Sequence, residues 1–123
     1  MKTRRSDERG SGSMLMVGVM TVVLMLSLGG ICLAGYLVAV HRARATADLA
    51  ALSGAAVLAT GGDACGAARR NAENNKGRLV SCDQVGDQVD FVVTVQVEVR
   101  VTTGVAGLPR SIRAVAHAGS GPP

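Results

Sequence analysis

Aromatic residues are almost missing from this 123-residue chain, which has one Phe, one Tyr and no Trp. Proteins that hold single-stranded nucleic acid stack bases on aromatic rings, and those that read duplexes need a dense basic face. Neither feature is available, because the net charge of +4 is divided into +2 over residues 1–13 and +2 over residues 41–123. Nucleic acid is therefore excluded as a partner. Catalytic signatures are missing too. There is no G-x-S-x-G, no H-E-x-x-H, no phosphate loop and no dinucleotide-binding glycine pattern. The two histidines, His41 and His117, have no acidic or nucleophilic neighbour in sequence. Asp83, Asp87 and Asp90 straddle a turn, with Asp87 and Asp90 on opposite strand faces, which suits solvated carboxylates better than calcium ligands. No enzymatic activity, cofactor, metal site or small-molecule substrate is expected.

What the chain does have is a long apolar run. Residues 14–40 are 27 consecutive residues without a charge. A bilayer core of about 30 Å needs about 20 apolar residues in a helix, so this run is long enough to span with some tilt. It is too long for the apolar core of a cleaved secretory signal, and the one A-x-A-like site, Ala43-Arg44-Ala45, follows two basic positions. The Arg4-Arg5 pair is followed by Ser6-Asp7-Glu8, not by the apolar residues of a twin-arginine signal. Lys2, Arg4, Arg5 and Arg9 precede the run, and Arg42 and Arg44 follow it. The positive-inside rule then predicts a single-pass protein with residues 1–13 as a basic cytoplasmic tail and the C-terminal 83 residues outside the cytoplasm.

Small residues recur inside the run at four-residue spacing: Gly30 with Ala34, and Gly35 with Ala39. Such spacing lets helix backbones approach closely in lipid, although Gly and Ala are also common in membrane helices generally. Past the apolar run, no proline interrupts the chain, and Ala43, Ala47, Ala51, Ala55 and Ala59 continue an i, i+4 ladder. Ala and Leu are strong helix formers, so residues 41–60 read as an extension ended by Thr60-Gly61-Gly62. One helix over residues 14–59 would be ~69 Å long. Its small-residue ridge suits close packing, either on the chain's own domain or on partner helices, and the residues leave both open.

Residues 61–118 read as a small α+β module. Asp63 is positioned to cap a helix over residues 64–76, with Gly77 as its stop. A short strand over residues 78–82 follows. Val89, Phe91, Val93, Val95, Val97, Val99 and Val101 then alternate with polar residues, broken only by Val92, which predicts an antiparallel strand with one buried face. Residues 104–109 form a connection, residues 111–118 form a third strand with Ile112, Ala114, Ala116 and Ala118 on one face, and residues 119–123 form a frayed tail. The valine face needs cover, and the outer half of the long helix is the nearest candidate. If the module lies outside the cytoplasm, Cys65 and Cys82 are natural disulfide partners in so small a core. Their link would contribute about 3 kcal/mol by the chain-entropy argument. Cys32, in the apolar run, reads as a small hydrophobe.

The order of these segments resembles a known family. A basic tail ending Asp7-Glu8-Arg9-Gly10-Ser11-Gly12-Ser13, an apolar helix, and then His41-Arg-Ala-Arg-Ala-Thr-Ala-Asp48-Leu-Ala-Ala-Leu52-Ser-Gly-Ala55 is similar to the TadE/TadG-like pilus-assembly proteins. More narrowly, it resembles their actinobacterial branch in the helicase/secretion neighbourhood. In that branch the Ala-Asp-Leu segment is followed by a cysteine, an Asn-containing helix and Leu-x-x-Cys, matched here by Cys65, Asn71 to Asn75, and Leu79 to Cys82. The resemblance runs from about Asp7 to Gly119. It implies a pilin-like fold and a pseudopilin-like component of the Flp-type pilus or a related secretion apparatus. Partners would be the bilayer, other TadE/TadG-like or pilus-assembly proteins, and a second copy of the chain. Helix packing would fall to Gly30, Ala34, Gly35, Ala39, Ala43, Ala47 and Ala51. Type IV-type prepilins are cut after a glycine, making Gly10 and Gly12 the candidate sites. The fifth mature residue would then be Leu15 or Val17 where the pattern has Glu, which argues against routine processing. The competing reading is an exported or membrane-tethered binding protein, at the surface or released, with no pilus role.

Overall fold

A sequence rich in Ala, Leu and Val, without a proline to break it, forms one long helix, α1 (Glu8–Ala59), in the computed structural model. It is followed by helix α2 (Ala64–Asn74) and strands β1 (Gly77–Gly86), β2 (Phe91–Arg100) and β3 (Ser111–Gly119). The structure describes residues 8–101, 107 and 110–121. The expected connection over residues 104–109 therefore falls almost wholly outside the described residues. The chain divides into two units, Met1–Ala34 and Gly35–Pro123.

In the first unit the described residues form helix alone, and every side chain described from residue 10 to residue 31 is exposed. The second unit contains a helix-on-sheet core. Its three-stranded antiparallel sheet has the order β1-β2-β3. This is the expected α+β class, with a long helix, a second helix and a small antiparallel sheet.

Alternation in β2 does what its period requires. Phe91, Val93, Val95 and Val97 are buried, while Val92, Thr94, Gln96 and Glu98 are less covered on the opposite face. Across from them Ala114 and Ala116 of β3 are buried. Ala43, Ala47, Ala50, Ala51 and Ala55 of α1 and Ala64, Ala68 and Ala72 of α2 complete the same cluster. The valine face is thus covered by residues 43–55 of α1 and by α2.

The ends of the elements follow from local chemistry. Helix α1 closes with Gly62 N–H donating to the Val57 carbonyl and Gly61 N–H to the Leu58 carbonyl. Gly61 takes a φ of +80°, the left-handed conformation that this two-bond helix stop requires. Asp63 then caps α2 by accepting a hydrogen bond from Gly66 N–H at 3.1 Å.

Five expectations need correction, the last of them the extent of β1. Helix α2 ends at Asn74, not residue 76, because Asn75 takes the cap position and its side chain donates back to the Asn71 carbonyl. Gly77 is the first residue of β1 instead of the helix stop, and the left-handed residue is Lys76, with φ +61°. Gly77 is small for a packing reason: an added Cβ would sit 2.8 Å from Val97 Cγ1 and 3.0 Å from Thr46 Cγ2. Val89 does not join the buried face. It lies in the β1–β2 turn at 79% exposure, where Asp87 N–H donates to the Asp90 carbonyl. Gly119 is no part of a frayed tail, since it pairs with Val92 as the last residue of β3, and Ser120 N–H donates to the Phe91 carbonyl.

Strand β1 also runs past Cys82 to Gly86, and it contains a bulge. Leu79 pairs with Val97 and Ser81 with Gln96, so Val80 is an extra residue. Leu79 and Cys82 are three apart and would face opposite sides of a regular strand. The extra residue brings both onto the core side, where both pack against the buried cluster.

Candidate functional site

The expected helix-packing residues fall into three environments. Gly30 and Ala34, in the first unit, are exposed, and an added Cβ at Gly30 would meet nothing within 4 Å. Gly35 and Ala39, in the second unit, are half-buried. Ala43, Ala47 and Ala51 are 0–1% exposed beneath the chain's own sheet. Of the two uses left open for the ridge, the structure shows self-packing from Ala43 onward. Ala59, the last rung, is exposed.

Three other members of that face were not singled out in the sequence, the fully buried Ala50 among them. Thr46 is buried among the alanines. Gly54 lies where three elements meet, and an added Cβ would stand 3.1 Å from the Ala64 carbonyl oxygen and 3.2 Å from Val93 Cγ1. Spacing could have revealed them, because residues 43, 46, 47, 50, 51, 54 and 55 form an i, i+3, i+4 stripe of small residues. Opposite this stripe, Leu49 and Leu52 remain 47% and 59% exposed.

Cys65, in the first turn of α2, and Cys82, in β1, form a disulfide with a Cα–Cα distance of 5.8 Å. The Val80 bulge is what turns Cys82 toward α2. Cys32 is a free thiol in the first unit. Gly10 and Gly12 lie within α1, both exposed. Lys2, Arg4 and Arg5, expected to set topology, lie outside the described residues, as does the side chain of Arg9.

Charge in the second unit is sorted by the fold. α1 and β2 run antiparallel, so Thr46 meets Gly77 and Val97 while Gly54 meets Ala64 and Val93. At the end where α1 enters are Arg42 and Arg44, Lys76 and Arg78 at the α2–β1 junction, Arg100 closing β2, and Arg110 and Arg113 at the start of β3. At the far end are Asp63, Asp83, Asp87 and Asp90, with no Lys or Arg in residues 57–66, 83–91 or 117–121, although the Arg70 guanidinium of α2 reaches back toward Gly66 beside Asp63. Glu98, near the basic end, is shared by Arg113 at 3.0 Å and Arg78 at 3.5 Å across all three strands. The Arg113 hydrogen bond, helped by the charges of both guanidiniums, holds the Glu98 carboxyl below its ordinary range. On the same solvent face Thr94 Oγ1 lies 2.9 Å from His117 Nδ1.

A cleft of about 630 Å³ opens at the basic end, lined by Arg42, Leu49, Lys76, Val99 and Arg100 among others. Among the described residues, no carboxylate lies within ion-pair distance of Arg42, Lys76 or Arg100. No group of three or more His, Cys, Asp and Glu residues able to hold a metal ion occurs among the described residues.

These observations define a class: a protein with, among the described residues, one helix long and apolar enough to cross a membrane, followed by a small disulfide-bonded α+β module. Residues 10–57 match the family model described as "Putative Flp pilus-assembly TadE/G-like". The match covers most of α1, including the apolar run and most of the buried alanine face. No curated protein and no solved structure matches the chain.

Proposed function

We propose that the protein is a membrane-anchored, pseudopilin-like component of a Flp/Tad-type pilus or related secretion apparatus, acting by assembly without turnover. The observation that carries this reading is the match of residues 10–57 to the pilus-assembly family. Within that segment, the large apolar side chains from Met14 to Leu33 are exposed and need cover. Lipid and neighbouring helices would supply it. Gly30 and Ala34 are open for close helix approach, whereas Ala43, Ala47 and Ala51 are already used inside the module. Any partner helix beside the outer part of α1 would therefore meet the Leu49 and Leu52 side. The N-terminus would be cytoplasmic and the module outside, where an oxidising environment keeps Cys65 and Cys82 joined.

Affinity purification of the full chain from membranes tests the assembly role. Co-purification of pilus-assembly ATPase or platform proteins is the expected result. A monomer recovered only from the medium, with a trimmed N-terminus, would overturn it. Topology is tested separately by a reporter fused after Pro123, which should be active outside the cytosol. N-terminal sequencing reads processing directly, since a start at Ser11 or Ser13 would place the cut after Gly10 or Gly12.

A further inference from the structure

The last residues of the apolar run belong to the second unit and lead directly, in sequence, to Arg42 at its basic end. Tyr36 to Val40 form the last uncharged turn of α1 before Arg42, and they belong to the same unit as the sheet. The folded module adds to Arg42 a set of cations distant from it in sequence. Lys76 arrives through the end of α2 and Arg100 through the end of β2, and all three line one open cleft with Leu49 and Val99. All three cations are exposed. The nearby carboxylate, Glu98, is taken up by Arg78 and Arg113. Glu73, in the last turn of α2, and Asp48, in α1, are exposed and lie within ion-pair distance of no cation among the described residues. Asp63, Asp83, Asp87 and Asp90 lie toward the opposite end, so the excess of Lys and Arg, and not an absence of carboxylates, distinguishes the end with the cleft.

We propose that this end of the module is a headgroup-binding collar, with the Arg42–Lys76–Arg100 cleft seating the phosphate of an anionic phospholipid. The proposal rests on the reading of α1 as a membrane span. The chemistry follows from placement: a cation just past the end of a membrane helix sits at the depth of the lipid phosphates, where each Lys or Arg is attracted to an anionic surface. Leu49 and Val99 give the cleft apolar wall, suited to the glycerol and first acyl carbons beside the phosphate. The aspartates at the far end would be repelled by the same surface, so the end with the cleft is the one suited to meet the headgroups. Such a collar would hold the module at one height above the bilayer, in register with its neighbours.

The test uses the full chain reconstituted in nanodiscs of phosphatidylcholine alone or mixed with phosphatidylglycerol, with lipid retention read by native mass spectrometry. Amide exchange is read over residues 74–79 and 98–101. Preferential retention of phosphatidylglycerol, together with slower exchange in both segments in the mixed bilayer, is the expected result. The triple variant R42Q/K76Q/R100Q should lose about tenfold of that preference, a conservative figure for three surface cations. D87N/D90N, at the far end, should keep it. Non-reducing electrophoresis and circular dichroism confirm that the variants are folded, which is expected because all the substituted side chains are exposed. Insertion without lipid preference, or a preference that survives the triple substitution, overturns the collar alone. Failure to enter either bilayer overturns the membrane-span reading and the collar with it.

Discussion

Along residues 14–34 of α1, the leucines, valines and methionines are the exposed residues, with Met14 at 81% and Leu26 at 72%. From residue 43 the same helix reverses the relation: Ala43, Ala47 and Ala50 are at 0%, while Leu49 and Leu52 face outward. The reversal is what the proposed placement of residues 14–34 in lipid would require. In lipid a large apolar side chain needs no protein partner, and only small residues let another helix approach. Against a sheet in water, an alanine face brings the helix backbone close to the valine layer, and the valines supply most of the buried apolar area. A single helix thus carries two packing codes, and size, not hydrophobicity, distinguishes them. The core of the second unit is correspondingly thin. Its largest fully buried side chains are Val93, Val95 and Val97, so loss of any one support should be felt.

Val95→Asp would break the comparison most severely. A charge without a partner in that core should cost at least about 4 kcal/mol and unfold the module. Protease should then digest residues 61–121, while the chain stays in the membrane fraction because residues 14–40 are untouched. Loss of membrane retention would mean that retention depends on the folded module and not on the apolar run alone.

Removing the disulfide comes next. C65S/C82S, or reduction of the wild type, should destabilise the module by about 3 kcal/mol, since the link closes a loop of 17 residues. Denaturant titration in detergent micelles reads this directly. A negligible change would show that the alanine and valine layers suffice alone.

A paired size exchange sharpens the contrast between the units. Ala47→Leu inserts bulk where there is no room and should cost about 1–3 kcal/mol of module stability. Leu26→Ala removes comparable bulk from an exposed site in the first unit and should change module stability by less than about 0.5 kcal/mol. Equal effects in thermal unfolding would refute the idea of two codes.

The smallest effect concerns pH. The Glu98 carboxyl is held below its ordinary range by Arg113 and Arg78, so the stability it contributes is present above that range and is lost as pH falls through its depressed value. The difference in melting temperature between wild type and E98Q should be present at neutral pH and shrink on acidification below about pH 4. A difference that stays constant down to pH 2 would show that the ion pairs carry none of it.

Much of this architecture was legible in the residues. The alternation at residues 91–97, the uninterrupted helix, the Gly61 stop and the Asp63 cap all rest on short-range rules, while the pairing of Cys65 with Cys82 was legible only as the chemistry of two thiols in a small module outside the cytoplasm. Those rules act through backbone period and local hydrogen bonds. Val89 was misplaced because alternation continues into the turn, and only the Asp87–Asp90 hydrogen bond shows that the strand has ended. Gly77 read as a helix stop because glycine serves that purpose often, whereas here it makes room for Val97 and Thr46.

Composition and period alone determined that the chain has a membrane-length apolar helix and a half-buried antiparallel strand. Both follow from repeats a few residues long, which need no knowledge of distant contacts. Tertiary structure decided the rest: which surface the alanine ridge covers, the bulge at Val80 that turns Cys82 to meet Cys65, and the gathering of Arg42, Lys76 and Arg100 at one end. Those arrangements depend on which elements lie antiparallel to one another. No local pattern records that, because it is set by how the whole valine face finds cover.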